Sequence, residues 1–111
     1  MITEVVEMPD FIRRAKALMS DAERMELIDL LARDPQAGVS LGQGLYKARV
    51  GRTGEGKSGG FRTVHFFRQD AGPVILLTIF AKNAKANLSD TELAVLGRIG
   101  EAVATELRGR T

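Results

Sequence analysis

The longest apolar run in this 111-residue chain is VILLTIFA, residues 74–81, and it admits few folds. It is far short of the roughly 20 apolar residues a membrane helix needs. An unbroken apolar segment of this length fits a strand inside a sheet, buried on both faces. The rest of the chain then has to supply flanking strands and a covering layer.

ITEVV (2–6) reads as a short first strand. Pro9 suits a first helical turn, and Phe11, Ala15, Leu18 and Met19 follow at helical spacing. Ser20 and Glu23 form a capping box that opens a second helix, with Leu27, Ile28 and Leu31 on its apolar face and Asp34-Pro35 as its stop. The two helices make a hairpin almost without a loop. PQAGVSLGQG (35–44) reads as a loop. LYKARV (45–50) alternates, Leu45, Lys47 and Arg49 facing one way and Tyr46, Ala48 and Val50 the other. FRTVHFFR (61–68) is an aromatic-rich strand, QDAG (69–72) a turn, and VILLTIFA the central strand. Ser89 and Glu92 repeat the capping box, Leu88 and Leu93 are placed as a hydrophobic staple, and Leu93, Leu96, Ile99, Val103 and Leu107 continue a last helix. The class is α+β: strand, helical hairpin, three-stranded antiparallel meander, helix. Residues 1–111 read as one domain, with no repeat and no internal boundary.

Charge is unevenly spread. The net charge is +2, yet residues 44–88 hold eight basic side chains against two acidic ones. Such segregation gives one basic working surface on a mildly acidic scaffold, and a polyanion is its natural partner. The bland alternative is that these charges merely solvate exposed strands. The absence of cysteine excludes disulfide scaffolds, cysteine–metal centres and thiol nucleophiles, and a single histidine makes a histidine metal site implausible. No cofactor is expected. The acidic N-terminal stretch lacks the apolar core of a signal peptide, which points to a cytoplasmic protein with no membrane partner.

GRTGEGKSGG (51–60) matches the P-loop pattern through Gly51, Gly56, Lys57 and Ser58. A P-loop needs a helix directly after it, whose N-terminal amides hold phosphate. Here Gly59-Gly60 and an aromatic strand follow instead. The match is accidental, and the stretch reads as a long hairpin loop carrying Lys57 and Arg62 toward Lys47 and Arg49.

The combination LYKARV, GKSGGFRTVHFF and VILLTIFAKNAKANLS closely resembles the RelE/ParE superfamily of toxin–antitoxin toxins, in its HigB-like, RelE-type branch. The resemblance spans nearly the whole chain. It implies a small α+β toxin that cleaves messenger RNA, commonly on the ribosome, without a metal, and that is held by a helix-turn-helix antitoxin. It also implies catalytic roles for Lys47 and Arg49 on the first hairpin strand, for Arg62 after the SGGF turn, and for Lys57. Arg52, Lys82 and Lys85 would help bind RNA. One departure stands out: the RelE pattern has an arginine beside the lysine after the last strand and a tyrosine further on. Here Asn83 follows Lys82 and no tyrosine occurs after Tyr46.

The chemistry suits these residue types. When a ribose 2′-OH attacks the adjacent phosphate, charge builds on the phosphoryl oxygens, and Arg62 can meet them bidentately. Lys47 and Lys57 are both candidates for moving a proton, and the spacing does not choose between them. Arg62 shares its strand face with Val64 and Phe66, where an unpartnered arginine is costly. His65 faces the side of Phe61, Thr63 and Phe67 and reads as a packed structural residue, Tyr46 as core, and Arg68 as solvated. Lys82 and Lys85 can equally be simple solubility residues. A ParE-like toxin that poisons a DNA topoisomerase by binding is the alternative of different class; the cluster of Lys47, Arg49, Lys57 and Arg62 favours RNA cleavage. A degenerate, non-toxic relative is a lesser option.

Overall fold

A computed structural model describes residues 2–52, 56–69, 72–81 and 88–108, with side chains throughout except at 51–52 and 56–59. Strand β1 (Val5–Glu7) leads into helices α1 (Pro9–Leu18) and α2 (Asp21–Arg33). Strands β2 (Val39–Gly42), β3 (Leu45–Arg52), β4 (Gly56–Phe66) and β5 (Val74–Ala81) follow, and α3 (Asp90–Arg108) closes the order. The sheet runs β1-β5-β4-β3-β2, with β1 parallel to β5 and every other pairing antiparallel.

Local chemistry sets the helix starts. Pro9 occupies the first turn of α1, where its missing N–H costs nothing. The Ser20 hydroxyl accepts from the Glu23 amide while the Glu23 carboxylate accepts from the Ser20 amide. Ser89 and Glu92 make the same reciprocal pair ahead of α3, and Leu88 and Leu93 pack into the same core.

VILLTIFA is strand β5 from end to end and is buried on both faces. Phe11, Ala15, Leu27 and Leu31 of the hairpin cover Phe61, Val74, Leu76 and Ile79 on one side. On the other side Ala104, Leu96 and Val103 of α3 cover Leu45, Val64, Phe66 and Ile75. A bulge opposite Val64–His65 leaves Leu77 without a partner, and the register resumes at Thr78. Among the described residues no helix is long and apolar enough to cross a membrane.

Four expectations need correction. Residues 39–42, read as loop, form the edge strand β2, because the tight turn at Gly42-Gln43-Gly44, all with positive φ, folds them onto β3. The meander therefore has four strands, and parallel β1 extends the sheet further. The glycine-rich stretch read as loop is largely strand: β4 begins at Gly56, although its register jumps, Val50 pairing with Phe61 and Arg52 with Gly56. Nothing helical follows Lys57, as a P-loop would demand. Finally, β4 is the middle strand, and β5 lies beside it.

Candidate RNA-binding face

Strand alternation builds the site. Register places Lys47 opposite Val64 and Arg49 opposite Arg62, and Arg62 opposite Phe80 on the next strand. Leu45, Val64, Phe66 and Phe80 belong to the core under α3, so Lys47, Arg49 and Arg62 share that face of the sheet. Helix α3 seals one end of it. A Cβ on Gly100 would stand 2.4 Å from the Phe66 ring, and one on Gly97 2.9 Å from the Gln43 side chain. Close approach through these glycines seats the helix over Leu45 and Phe66, and the three cations lie further along the strands.

Arg62 is only 5% exposed, and among the described residues its guanidinium makes one long hydrogen bond, 3.4 Å from Nη1 to the Phe61 carbonyl. Neither Arg62 nor exposed Arg49 has a carboxylate partner among the described residues. Like charges directly opposite on one sheet face destabilise it, and burying a guanidinium without partners adds to the cost. A bound phosphate relieves both, because two guanidinium forks can share its oxygens.

Lys57 lies where the β3–β4 register jumps, so alternation assigns it no face; its side chain and that of Arg52 are outside the described residues. Lys82 and Lys85 also lie outside them, as does part of the QDAG turn. Arg68 is exposed, as expected, and is also ion-paired with Glu101 of α3 at 2.5 Å. Sequence reasoning did not single out a cleft of about 320 Å³ between α1, β5 and α3, lined by Asp10, Arg14, Thr78, Phe80 and Leu96. The Asp10 carboxylate there already accepts from Thr78, Arg13 and Arg14, so its oxygens are largely committed.

His65 is a packed residue, as expected. It is fully buried, stacks on Tyr46 with ring centroids 5.4 Å apart, and lies on the hairpin face away from the cations. Its Nε2 is 2.8 Å from the Pro35 carbonyl, which can only accept, so Nε2 carries the hydrogen. Nδ1 is then a buried acceptor without a partner among the described residues. Burial holds the imidazole below its ordinary pKa of 6.5, against the opposing pull of the Pro35 carbonyl and Asp34. The unfolded chain thus takes up its proton at higher pH than the folded one. Stability contributed by neutral His65 is complete above about 6.5 and falls as pH drops toward the folded pKa. Thermal melts from pH 8 to 5 should decline more steeply for the wild type than for His65→Gln; parallel curves would show that another group governs the acid response.

A small α+β protein with three cationic side chains on the sheet face beside its closing helix is thereby defined. A family model described as the RelE toxin of the RelE/RelB toxin–antitoxin system matches residues 4–108. The chain belongs to the RelE toxin family. Among solved structures it is similar to the free state of an Escherichia coli RelE toxin in which two arginines are replaced by alanine. That match has a TM-score of 0.57 at 14% identity and covers 78% of this chain and 90% of the other. At that identity it speaks for the fold.

Proposed function

We propose that this chain, acting as one domain, is the toxin of a type II toxin–antitoxin pair and a metal-independent endoribonuclease. Its substrate is messenger RNA, engaged on the ribosome, and its cognate antitoxin is a helix-turn-helix protein. It acts in the cytoplasm and falls in the HigB-like branch of its family. The observation that carries this is the Arg49–Arg62 pair, two like charges in register with one of them buried and without an anionic partner among the described residues. The family membership supplies the toxin class, and the pair supplies the chemistry.

Arg62 holds the non-bridging oxygens of the scissile phosphate from within the sheet. Arg49, more exposed, closes from the adjacent strand and orients the backbone. Lys47 lies one pairing step further along, near enough in register to serve the attacking 2′-OH or the leaving 5′-oxygen, and Lys57 is the second candidate for that proton. Ammonium and guanidinium groups do not ligate metal ions, so the donor set of this face stabilises charge through hydrogen bonds alone.

Incubating the protein with translating ribosomes should yield RNA fragments ending in 2′,3′-cyclic phosphate with 5′-hydroxyl partners. Fragments with 3′-hydroxyl and 5′-phosphate ends, the products of direct attack by water, would defeat the proposed mechanism. Complete absence of cleavage, with growth arrest and DNA damage in cells, would favour topoisomerase poisoning.

A further inference from the structure

The sheet is unfinished along one stretch of β3. Strand β2 pairs with Leu45, Tyr46 and Lys47 only, whereas β3 continues to Arg52. Beyond Lys47, Ala48, Arg49, Val50 and Arg52 are paired on the β4 side alone among the described residues. The ladder stops for a local reason. Gly38, with φ +93°, crosses so close to β3 that a Cβ there would meet the Lys47 carbonyl oxygen at 2.2 Å. The chain leaves the sheet plane at that point.

A groove of about 360 Å³ lies where the missing strand would run, bordered by Leu30, Ala37, Gly38, Val39, Ala48 and Arg49. Its apolar rim is open to solvent, Val39 being 63% and Leu30 42% exposed. Natural sheets normally blunt or cover such edges. The two sides of this one differ in character. Toward the helical hairpin lie Leu30, Ala37 and Ala48; toward the α3 side lie Lys47 and Arg49.

We infer that residues 48–50 of β3 are a strand-addition site for an extended segment of a partner protein, with aliphatic residues facing α2 and acidic residues alternating toward Arg49. The inference rests on the toxin–antitoxin assignment only in naming the antitoxin as the protein that supplies the segment. Complementarity is both electrostatic and geometric. A peptide backbone offers donors and acceptors alternately, as a sheet edge requires, whereas a phosphodiester backbone only accepts. Such a strand would set its acidic side chains beside Arg49, one strand away from Arg62, so strand addition and substrate binding would compete for Arg49.

The test is a titration of the isotopically labelled full-length protein with a capped heptapeptide alternating valine and glutamate. Amides of residues 48–50 should shift and gain exchange protection. The same peptide with N-methylated valines should lose at least tenfold in affinity. Leu30→Asn should weaken binding about fivefold while leaving RNA cleavage unchanged. Equal binding of the N-methylated peptide or of heptaglutamate would reduce the site to a charge effect and overturn the inference. So would protection of the β1 edge instead, absence of binding at millimolar peptide, or equal protection of residues 48–50 by a non-cleavable 2′-O-methyl oligoribonucleotide. A wild type that binds the peptide but cleaves no RNA would refute the nuclease assignment and leave the strand-addition site standing.

Discussion

Arg62→Met should lose about 10²–10³ in cleavage rate, the usual consequence of removing one preorganised donor to a developing oxyanion. The same substitution should leave the protein at least as stable as the wild type. Arg62 is 5% exposed, stands opposite Arg49 and is held by one long hydrogen bond. Methionine keeps much of its length and removes both the desolvated charge and the like-charge repulsion. A residue retained for structure would show the reverse pattern, lower stability with proportionate loss of activity. Parallel measurements of melting temperature and single-turnover cleavage decide between them. A melting temperature well below the wild type, or cleavage within threefold of it, would remove Arg62 from the mechanism. Arg49→Ala should cost less, because an exposed guanidinium surrenders part of its attraction to water and salt.

Gly100→Ala should be the most damaging single methyl group in α3. The added Cβ would lie 2.4 Å from the Phe66 ring and 2.6 Å from the Phe66 Cβ, and Phe66 is itself 1% exposed, with no free volume to retreat into. Overpacking of a filled core typically costs about 1–3 kcal/mol, or on the order of 10 °C in melting temperature for a domain near this size. Gly72→Ala is the control. Its φ of +87° makes the substitution strained, but no atom lies within 4 Å of the added methyl. It should cost only the roughly 1–2 kcal/mol of left-handed backbone. Because α3 closes the cationic face at one end, Gly100→Ala should also loosen Arg68–Glu101. Equal melting temperatures for wild type and Gly100→Ala would mean that α3 is not seated as described.

Local signals were legible in the sequence wherever a few neighbouring residues settle the matter. Both capping boxes, the Asp34 stop and the full extent of VILLTIFA could be read directly, since each depends on contacts within one turn or on burial of both faces. What could not be read depends on partners distant in the chain. VSLG forms a strand only because β3 receives it, and its glycines argue against a strand until the turn at Gly42–Gly44 is known. Gly56–Gly60 belongs to β4 despite its composition, with Gly56 paired to Arg52 of β3. The parallel placement of β1 depends on a segment some 70 residues away. At the site, alternation put Lys47, Arg49 and Arg62 on a common face, but it could not foretell that two of them stand in register. The cleft beside Asp10 had no sequence signal, because its walls come from three separate elements.

Strand β1 has a consequence for the life of the chain on the ribosome. Among the described residues Val5, Val6 and Glu7 find their only sheet partner in Val74, Ile75 and Leu76. Synthesis runs from the N-terminus, so the first strand made must wait for the last of the described strands, and α1, which packs against β5, waits with it. During most of translation the nascent chain therefore has no complete sheet, and Arg62 has no Phe80 strand beside it. On the proposed function, the face that engages RNA is thus assembled only after β5 has been made, and the parallel pairing of β1 is the step that completes the sheet.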